Sequence, residues 1–241
     1  MTALVEAAGL TRRFGGIVAV NALDLAVEAG ELVGLIGPNG SGKTTTINLL
    51  TGHLPPSAGQ VRLRGQRADG LPPDRFAARG VGRTFQITQL FGRMSVLENM
   101  LVPGLARHGA TRAGAVRDAW RHLEFLNLAA LAAQPARSLS GGQQKLLELG
   151  RALMLEPAIL FLDEPFAGVN PFLRDEIIGL VQSLHGQGRT FVVVDHDLEA
   201  IQRLVRRMVV MSRGEKIADG SVAEVRENPE VVRAYMEVGP E

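Results

Sequence analysis
The sequence contains no cysteine in its 241 residues, which excludes disulfides and thiolate metal sites and is compatible with a reducing cytosol. It is also nearly neutral: 26 Lys and Arg stand against 25 Asp and Glu, leaving +1. No nucleic-acid surface or polybasic membrane patch is therefore expected. No charge-free apolar run approaches the roughly 20 residues that span a bilayer. The opening MTALVEAAGLTRRF lacks the basic-then-apolar order of a signal peptide. The expectation is a protein soluble by itself. Internal repeats, low-complexity tracts and sustained heptads are missing too.

What is there is an alternation of strands and helices, long enough for one large α/β domain or a core with one subdomain. ELVGLIG (31–37), AILFLDE (158–164) and TFVVVD (190–195) are short β-branched or Leu-rich runs with little polar alternation. That pattern predicts parallel strands covered on both faces. The opening segment and VRLRG (61–65) alternate more and lie between Gly and Pro turns, which predicts a smaller, more exposed antiparallel sheet. From Thr88 to Ala152 the chain is rich in Ala, Leu and Arg at helical spacing. It reads as a mostly helical insertion.

The most specific signal is GPNGSGKTT, residues 37–45, which satisfies G-x-x-x-x-G-K-[ST] between the strand ELVGLIG and the helix KTTTINLLTG. Gly37, Gly40 and Gly42 let main-chain N–H groups turn inward around phosphate oxygens, with Pro38, Asn39, Ser41 and Thr45 completing the loop. The positive end of the helix dipole reinforces this nest. Lys43 is placed to reach β and γ phosphates and the Thr44 hydroxyl to ligate Mg²⁺. In ILFLDEPFAGVNP (159–171), a strand ending in Asp beside a phosphate loop marks Asp163 as the partner of Mg²⁺. Glu164, one residue on, is expected to point elsewhere because adjacent strand residues face opposite sides. It would orient and deprotonate an attacking water.

A phosphate loop alone leaves kinases, GTPases and ATPases open. SLSGGQQKLLELGRALMLEP (138–157) discriminates among them: Ser140, then Gly141 and Gly142, open an amphipathic helix and offer a second anion site. Here the chain resembles the ATP-binding cassette family, whose LSGGQ signature is matched by Leu139, Ser140, Gly141, Gly142 and Gln143. The resemblance also takes in Phe14, the phosphate loop, Gln86 in RTFQ, the acidic strand end and His196 in VVVDHD. It implies an α/β fold: a nucleotide-binding core with a mostly parallel sheet, a small antiparallel β subdomain and a helical subdomain. The corresponding boundaries are 1–86 and 153–225 for the core, 87–152 for the helical signature subdomain and 226–241 for a C-terminal tail.

The resemblance further implies that this is an ATP hydrolase using ATP and Mg²⁺. Phe14 would stack on adenine, though an aromatic there also suits the core. Gln86 would contact Mg²⁺ or the water, and His196 the γ-phosphate. The signature would close on ATP held by a second cassette subunit, identical or paralogous, so one chain holds half of each working site. His53, His108, His122 and His185 read as surface or packing residues.

Within the family, LTRRFGGIVAVNALDL, VGRTFQITQLFGRMSVLENMLV, DEPFAGVNP and NPEVVRAYMEVG resemble the cytoplasmic ATPase of bacterial branched-chain amino acid importers. That implies transmembrane permease subunits as partners, indirectly a solute-binding protein, and a place at the inner face of the membrane. Ile87 to Phe91 would face the permease, or else pack the insertion. Asn170 stands where many cassettes carry Asp, in the loop that crosses to the partner cassette. It is also a good N-cap, with Pro171 as first helical residue and Gly186 ending the helix. The lipopolysaccharide-extracting ATPase resembles the chain around EPFAGV and is the alternative reading. A soluble, non-transport cassette is a further one, against which stand the single phosphate loop and the absence of a coiled-coil insertion.

Overall fold
The computed structural model describes residues 3–107 and 109–236. Two sheets organise it. A four-stranded antiparallel sheet runs β2 (Ile17–Val27), β1 (Val5–Phe14), β4 (Ala58–Leu63), β5 (Gln66–Arg67). A six-stranded sheet runs β10 (Glu215–Ser221), β9 (Arg207–Ser212), β3 (Leu32–Ile36), β8 (Thr190–Val194), β7 (Ile159–Asp163), β6 (Val81–Arg83). All its neighbours are parallel except β10, which returns antiparallel on β9. The helices are α1 (Lys43–Leu50), α2 (Pro73–Ala78), α3 (Val96–Ala106), α4 (Arg112–Phe125), α5 (Gly141–Leu153), α6 (Pro171–Gly186), α7 (Leu198–Leu204), α8 (Val222–Glu227) and α9 (Pro229–Met236).

The large sheet separates two apolar cores, and the period-two geometry of a strand divides each strand's residues between them. Leu160 and Leu162 of β7 and Phe191 and Val193 of β8 face a core shared with α3 to α7. Ile159 and Phe161, with Val192 and Val194, face a core shared with α1, α2 and the antiparallel sheet. Both faces being covered is why these strands carry no polar alternation. Between β6 and β7 the described regular elements are helices and short 3₁₀ turns, with an isolated bridge between Ser95 and Pro135.

β8 lies between the phosphate-loop strand β3 and the acidic strand β7, so the loop after β3 and the acidic end of β7 share one end of the sheet with β8 between them. β10 alternates too weakly to be legible as part of the large sheet. Gly186 is the last residue of α6, as expected, and the left-handed residue beyond the helix is Gly188 (φ 86°).

His122 on α4 is buried with no partner for its Nε2. Burial chiefly, with repulsion from Arg121 and Arg189, lowers its pKa to about 4 against attraction from Asp118 and Glu156. The folded value lies below the unfolded one near 6.5, so His122 stabilises the fold fully above about pH 6.5. That contribution is lost as pH falls through about 4, amounting to on the order of 3 kcal/mol. Thermal unfolding at pH 7 and pH 4.5 should show a smaller acid-induced loss for His122→Leu than for the wild type. Equal losses would place the acid sensitivity elsewhere.

Candidate functional site
The loop of residues 37–42 links β3 to α1, and two of its glycines have no substitute. A Cβ on Gly37 (φ 149°) would lie 2.2 Å from the Met211 carbonyl oxygen. On Gly42 (φ 103°), which caps α1, it would lie 2.4 Å from the Ala19 carbonyl oxygen. Lys43 is buried, and its Nζ donates to the carbonyls of Gly37 (2.7 Å) and Pro38 (2.9 Å). Burial pushes its pKa below the usual lysine value, opposed by the charges of Glu164, Asp195 and Asp163. The lysine thus already lies within the field of the acidic strand ends. Gly40 is left-handed (φ 76°), the Ser41 hydroxyl is buried without a partner, Thr44 is exposed on the first turn and Thr45 half-buried. Asn39 is exposed at the tip of the loop.

Asp163 closes β7 in a buried position. Its Oδ2 accepts from Arg83 Nη2 at 2.8 Å, while Oδ1 has no partner. Arg83 also donates to Asn48 Oδ1 (2.6 Å) and Thr51 Oγ1 (3.2 Å) on α1 and just beyond it, so one guanidinium fastens the acidic strand to the phosphate-loop helix. Glu164 does not diverge from Asp163 by strand alternation. It has left β7 and adopts a left-handed backbone (φ 47°), a strained state for a residue with a Cβ. Its N–H donates to the Val194 carbonyl at 2.7 Å, which holds the turn against β8. The side chain then meets Gln86, whose Nε2 donates to Glu164 Oε2 at 2.8 Å, and His196, whose Nδ1 lies 3.9 Å from the same oxygen. Gln86 and His196 are both exposed.

Asp195, between the end of β8 and His196, escaped the sequence reading. It is 0% exposed. Its Oδ2 accepts from Phe166 N (2.9 Å), and its Oδ1 from His196 N (2.8 Å) and Asp197 N (3.0 Å). The sequence signal was available: an apolar run ending in Asp, as at Asp163.

The signature residues lie at the start of α5. Leu139 is buried and Ser140 exposed. Ser140 Oγ accepts from Gln143 N (3.3 Å) and Gln143 Oε1 from Ser140 N (3.0 Å), a reciprocal capping box. Gly141 is open, whereas a Cβ on Gly142 would meet Leu173 Cδ2 at 2.1 Å, so α5 and α6 pass there in close contact. Asn170 caps α6, its Oδ1 accepting from Leu173 N at 2.9 Å. Three charged residues along one side of α5, also missed from sequence, grip main chain elsewhere. Lys145 Nζ donates to the Glu164 carbonyl (3.0 Å), Glu148 Oε1 accepts from Phe85 N (3.1 Å), and Arg151 donates to the Gln89 carbonyl while its guanidinium lies 4.9 Å from the Phe91 ring centroid. Burial raises the Glu148 pKa, partly offset by hydrogen bonds from the main chain of Phe85 and Gln89. Their i, i+3, i+6 spacing was the legible clue.

Phe14, 44% exposed at the end of β1, belongs to neither core, and the Arg12 guanidinium lies 4.7 Å from its ring centroid. Ile87 (76%) and Phe91 (46%) are exposed. His53 is hydrogen-bonded to Thr51 (3.0 Å) and edge-on to Phe85, and His185 Nε2 lies 2.9 Å from the Gly30 carbonyl. His108, and residues 237–241 of the tail, lie outside the described residues.

Comparison with known proteins gives two family matches. The model described as "ABC transporter" matches residues 20–167, and that described as "Branched-chain amino acid ATP-binding cassette transporter" matches residues 215–236. The chain is 40% identical over 248 residues to the high-affinity branched-chain amino acid transport ATP-binding protein BraF of Pseudomonas aeruginosa, covering 97% of each. It is similar to the ADP conformation of an ATP-binding cassette of an ABC transporter, with TM-score 0.88 and 34% identity over 100% of both chains. It is also similar to a cassette described as dimeric, in a post-hydrolysis state bound to ADP and Pi. That TM-score is 0.81 at 28% identity, covering 90% of this chain and 98% of the other.

Replacing Lys43 removes a buried cation from the loop. Charge-assisted hydrogen bonds are each worth about 1.5–3 kcal/mol, so Lys43→Ala should weaken ADP binding by roughly ten- to a hundredfold. Far-UV circular dichroism should stay as in the wild type. Undiminished ADP affinity in titration calorimetry would remove Lys43 from the site.

Proposed function
The chain belongs to the ABC transporter family, and from that premise we propose that it is the ATP-hydrolysing subunit of a branched-chain amino acid importer. The observation that carries the hydrolytic reading is the left-handed turn at Glu164, which directs its carboxylate to Gln86 and towards His196. The match of residues 215–236 to the branched-chain amino acid cassette model, with the identity to BraF, supports the transport reading.

In this mechanism ATP lies on the loop of residues 37–45, with Phe14 against the base and main-chain N–H groups and Lys43 around the phosphates. Glu164 takes the proton of the attacking water, Gln86 orients that water, and His196 hydrogen-bonds the γ-phosphate. The donor set beside the loop is made of hard oxygens, including the unpartnered Asp163 Oδ1, the exposed Thr44 hydroxyl and the Gln86 amide. It fits Mg²⁺. Thr44, Gln86 and Asp163 would hold that ion, which supplies neutralisation of the phosphate charge.

The exposed Ser140 end of α5, from Leu139 to Gln143, meets ATP on a second copy or a paralogous subunit, with Asn170 at the same crossing. The dimeric relative bound to ADP and Pi supports this pairing. No described helix is long and apolar enough to cross a membrane. In this reading attachment to the membrane runs through permease subunits, to which a solute-binding protein delivers the amino acid. Exposed Ile87 and Phe91, at the far end of the α5 contacts, form the permease face.

Two measurements test this reading. Glu164→Gln should bind ATP but turn over roughly 10²-fold more slowly, as for loss of a general base. Light scattering should then find an ATP-bound dimer, and turnover within a few-fold of wild type would exclude Glu164 as base. Phe91→Ala should leave the basal ATPase of the isolated subunit nearly unchanged while weakening co-purification with the permease, since a lost aromatic anchor costs about 2 kcal/mol or more at an interface. Normal assembly would make Phe91 a packing residue only.

A further inference from the structure
The C-terminal helix α9 reaches back to the phosphate loop. Asn228 Oδ1 accepts from Glu230 N at 2.8 Å, opening the helix. Val231 is buried in the core that also contains Ile36, the last residue of β3. One turn further on, Tyr235 packs on the same core. Ile36, Val225, Val231 and Tyr235 line a common cavity of about 280 Å³, so the end of β3, where the loop begins, and the end of the chain share a wall. Tyr235 is the single tyrosine of the sequence.

Its hydroxyl oxygen is buried and makes no hydrogen bond of full geometry among the described residues. Burial pushes the phenol up to about 12, with the Gly37 main chain beside it opposing the rise. Gly37 is confined on its other sides as well. Lys43 Nζ binds its carbonyl at 2.7 Å, and Met211 O and Ser41 Oγ leave no room for a Cβ. A buried hydroxyl without a partner is a net cost, and phenylalanine would fill the same space without it. The Gly37 main chain lies beside it, next to the cavity wall that Ile36 and Tyr235 share, so a Gly37 N–H turned to the oxygen would satisfy the hydroxyl.

We propose that Tyr235 is a positioning residue for nucleotide binding: its hydroxyl accepts from the Gly37 main chain when the loop closes on phosphate, and α9 acts as a brace for the loop. The inference rests on the loop of residues 37–45 being the nucleotide site. By linkage, whatever α9 contributes to nucleotide affinity, nucleotide must return to the docking of α9.

The test uses the full chain, with ADP as probe, in the wild type and in Tyr235→Phe. Calorimetry should find ADP binding about five- to tenfold weaker in the variant, while its melting temperature without nucleotide is equal or higher. Hydrogen exchange in residues 229–236 should slow on adding ADP to the wild type, and slow much less in Tyr235→Phe. A purely structural ring would move neither readout. Affinity within twofold of wild type, or equal ADP protection of α9 in both proteins, overturns the brace. A wild-type chain that fails to bind ADP would instead refute the nucleotide site itself, so the two failures are distinguishable.

Discussion

The site is held together by one carboxylate taken wholly out of water. Burying such a charge is strongly unfavourable unless its lone pairs are filled, and Asp195 fills them with three main-chain N–H groups from Phe166, His196 and Asp197. Those donors come from two segments, one leaving β7 and the other leaving β8. Asp195 therefore clamps the two strand exits together, and Glu164 lies between the clamped points. Its N–H on the Val194 carbonyl completes the arrangement. The left-handed turn is tolerated because the bonds around it over-determine it.

A second constraint runs along α5. Lys145, Glu148 and Arg151 attach the helix to the Glu164 carbonyl, the Phe85 N–H and the Gln89 carbonyl. All three attachments are to main chain, so they depend on where the loops run and not on which side chains the loops carry. Any rotation of α5 carries residues 85–91 with it or breaks these bonds. The exposed cap at Ser140 and the exposed Phe91 are thereby ends of one rigid element, with Gln86 and Glu164 attached along its length. Arg83 extends the same connection to α1 through Asn48 and Thr51.

The motif-bearing parts of this arrangement were legible because they are local. Strand, glycine turn and lysine-bearing helix are contiguous in GPNGSGKTT, and so are the cap and helix of LSGGQ. The capping role of Asn170 followed from Asn-Pro ahead of an amphipathic run. The supporting residues were not legible in the same way. Asp195, Lys145 and Glu148 bind main chain from segments distant in sequence, and a main-chain partner leaves no trace in the residue types; Arg83 binds side chains, but 32 to 80 residues away. Glu164 shows the difference most sharply. Its neighbouring Asp163 is placed by the strand, whereas its own direction comes from a turn whose dihedral no residue pattern announces.

The sequence by itself thus determined a phosphate-binding α/β cassette with a helical insertion, together with the residue types needed to bind a nucleotide and to remove a proton from water. Apolar period, glycine placement and capping chemistry are short-range properties, and the chain spells them out. Tertiary structure alone decided that β8 lies between β3 and β7, that Glu164 meets Gln86 and His196, and that the last helix packs against Ile36 at the end of β3. These follow from the order in which strands pair and from buried polar groups seeking partners across the fold. Both are settled only when the two cores close.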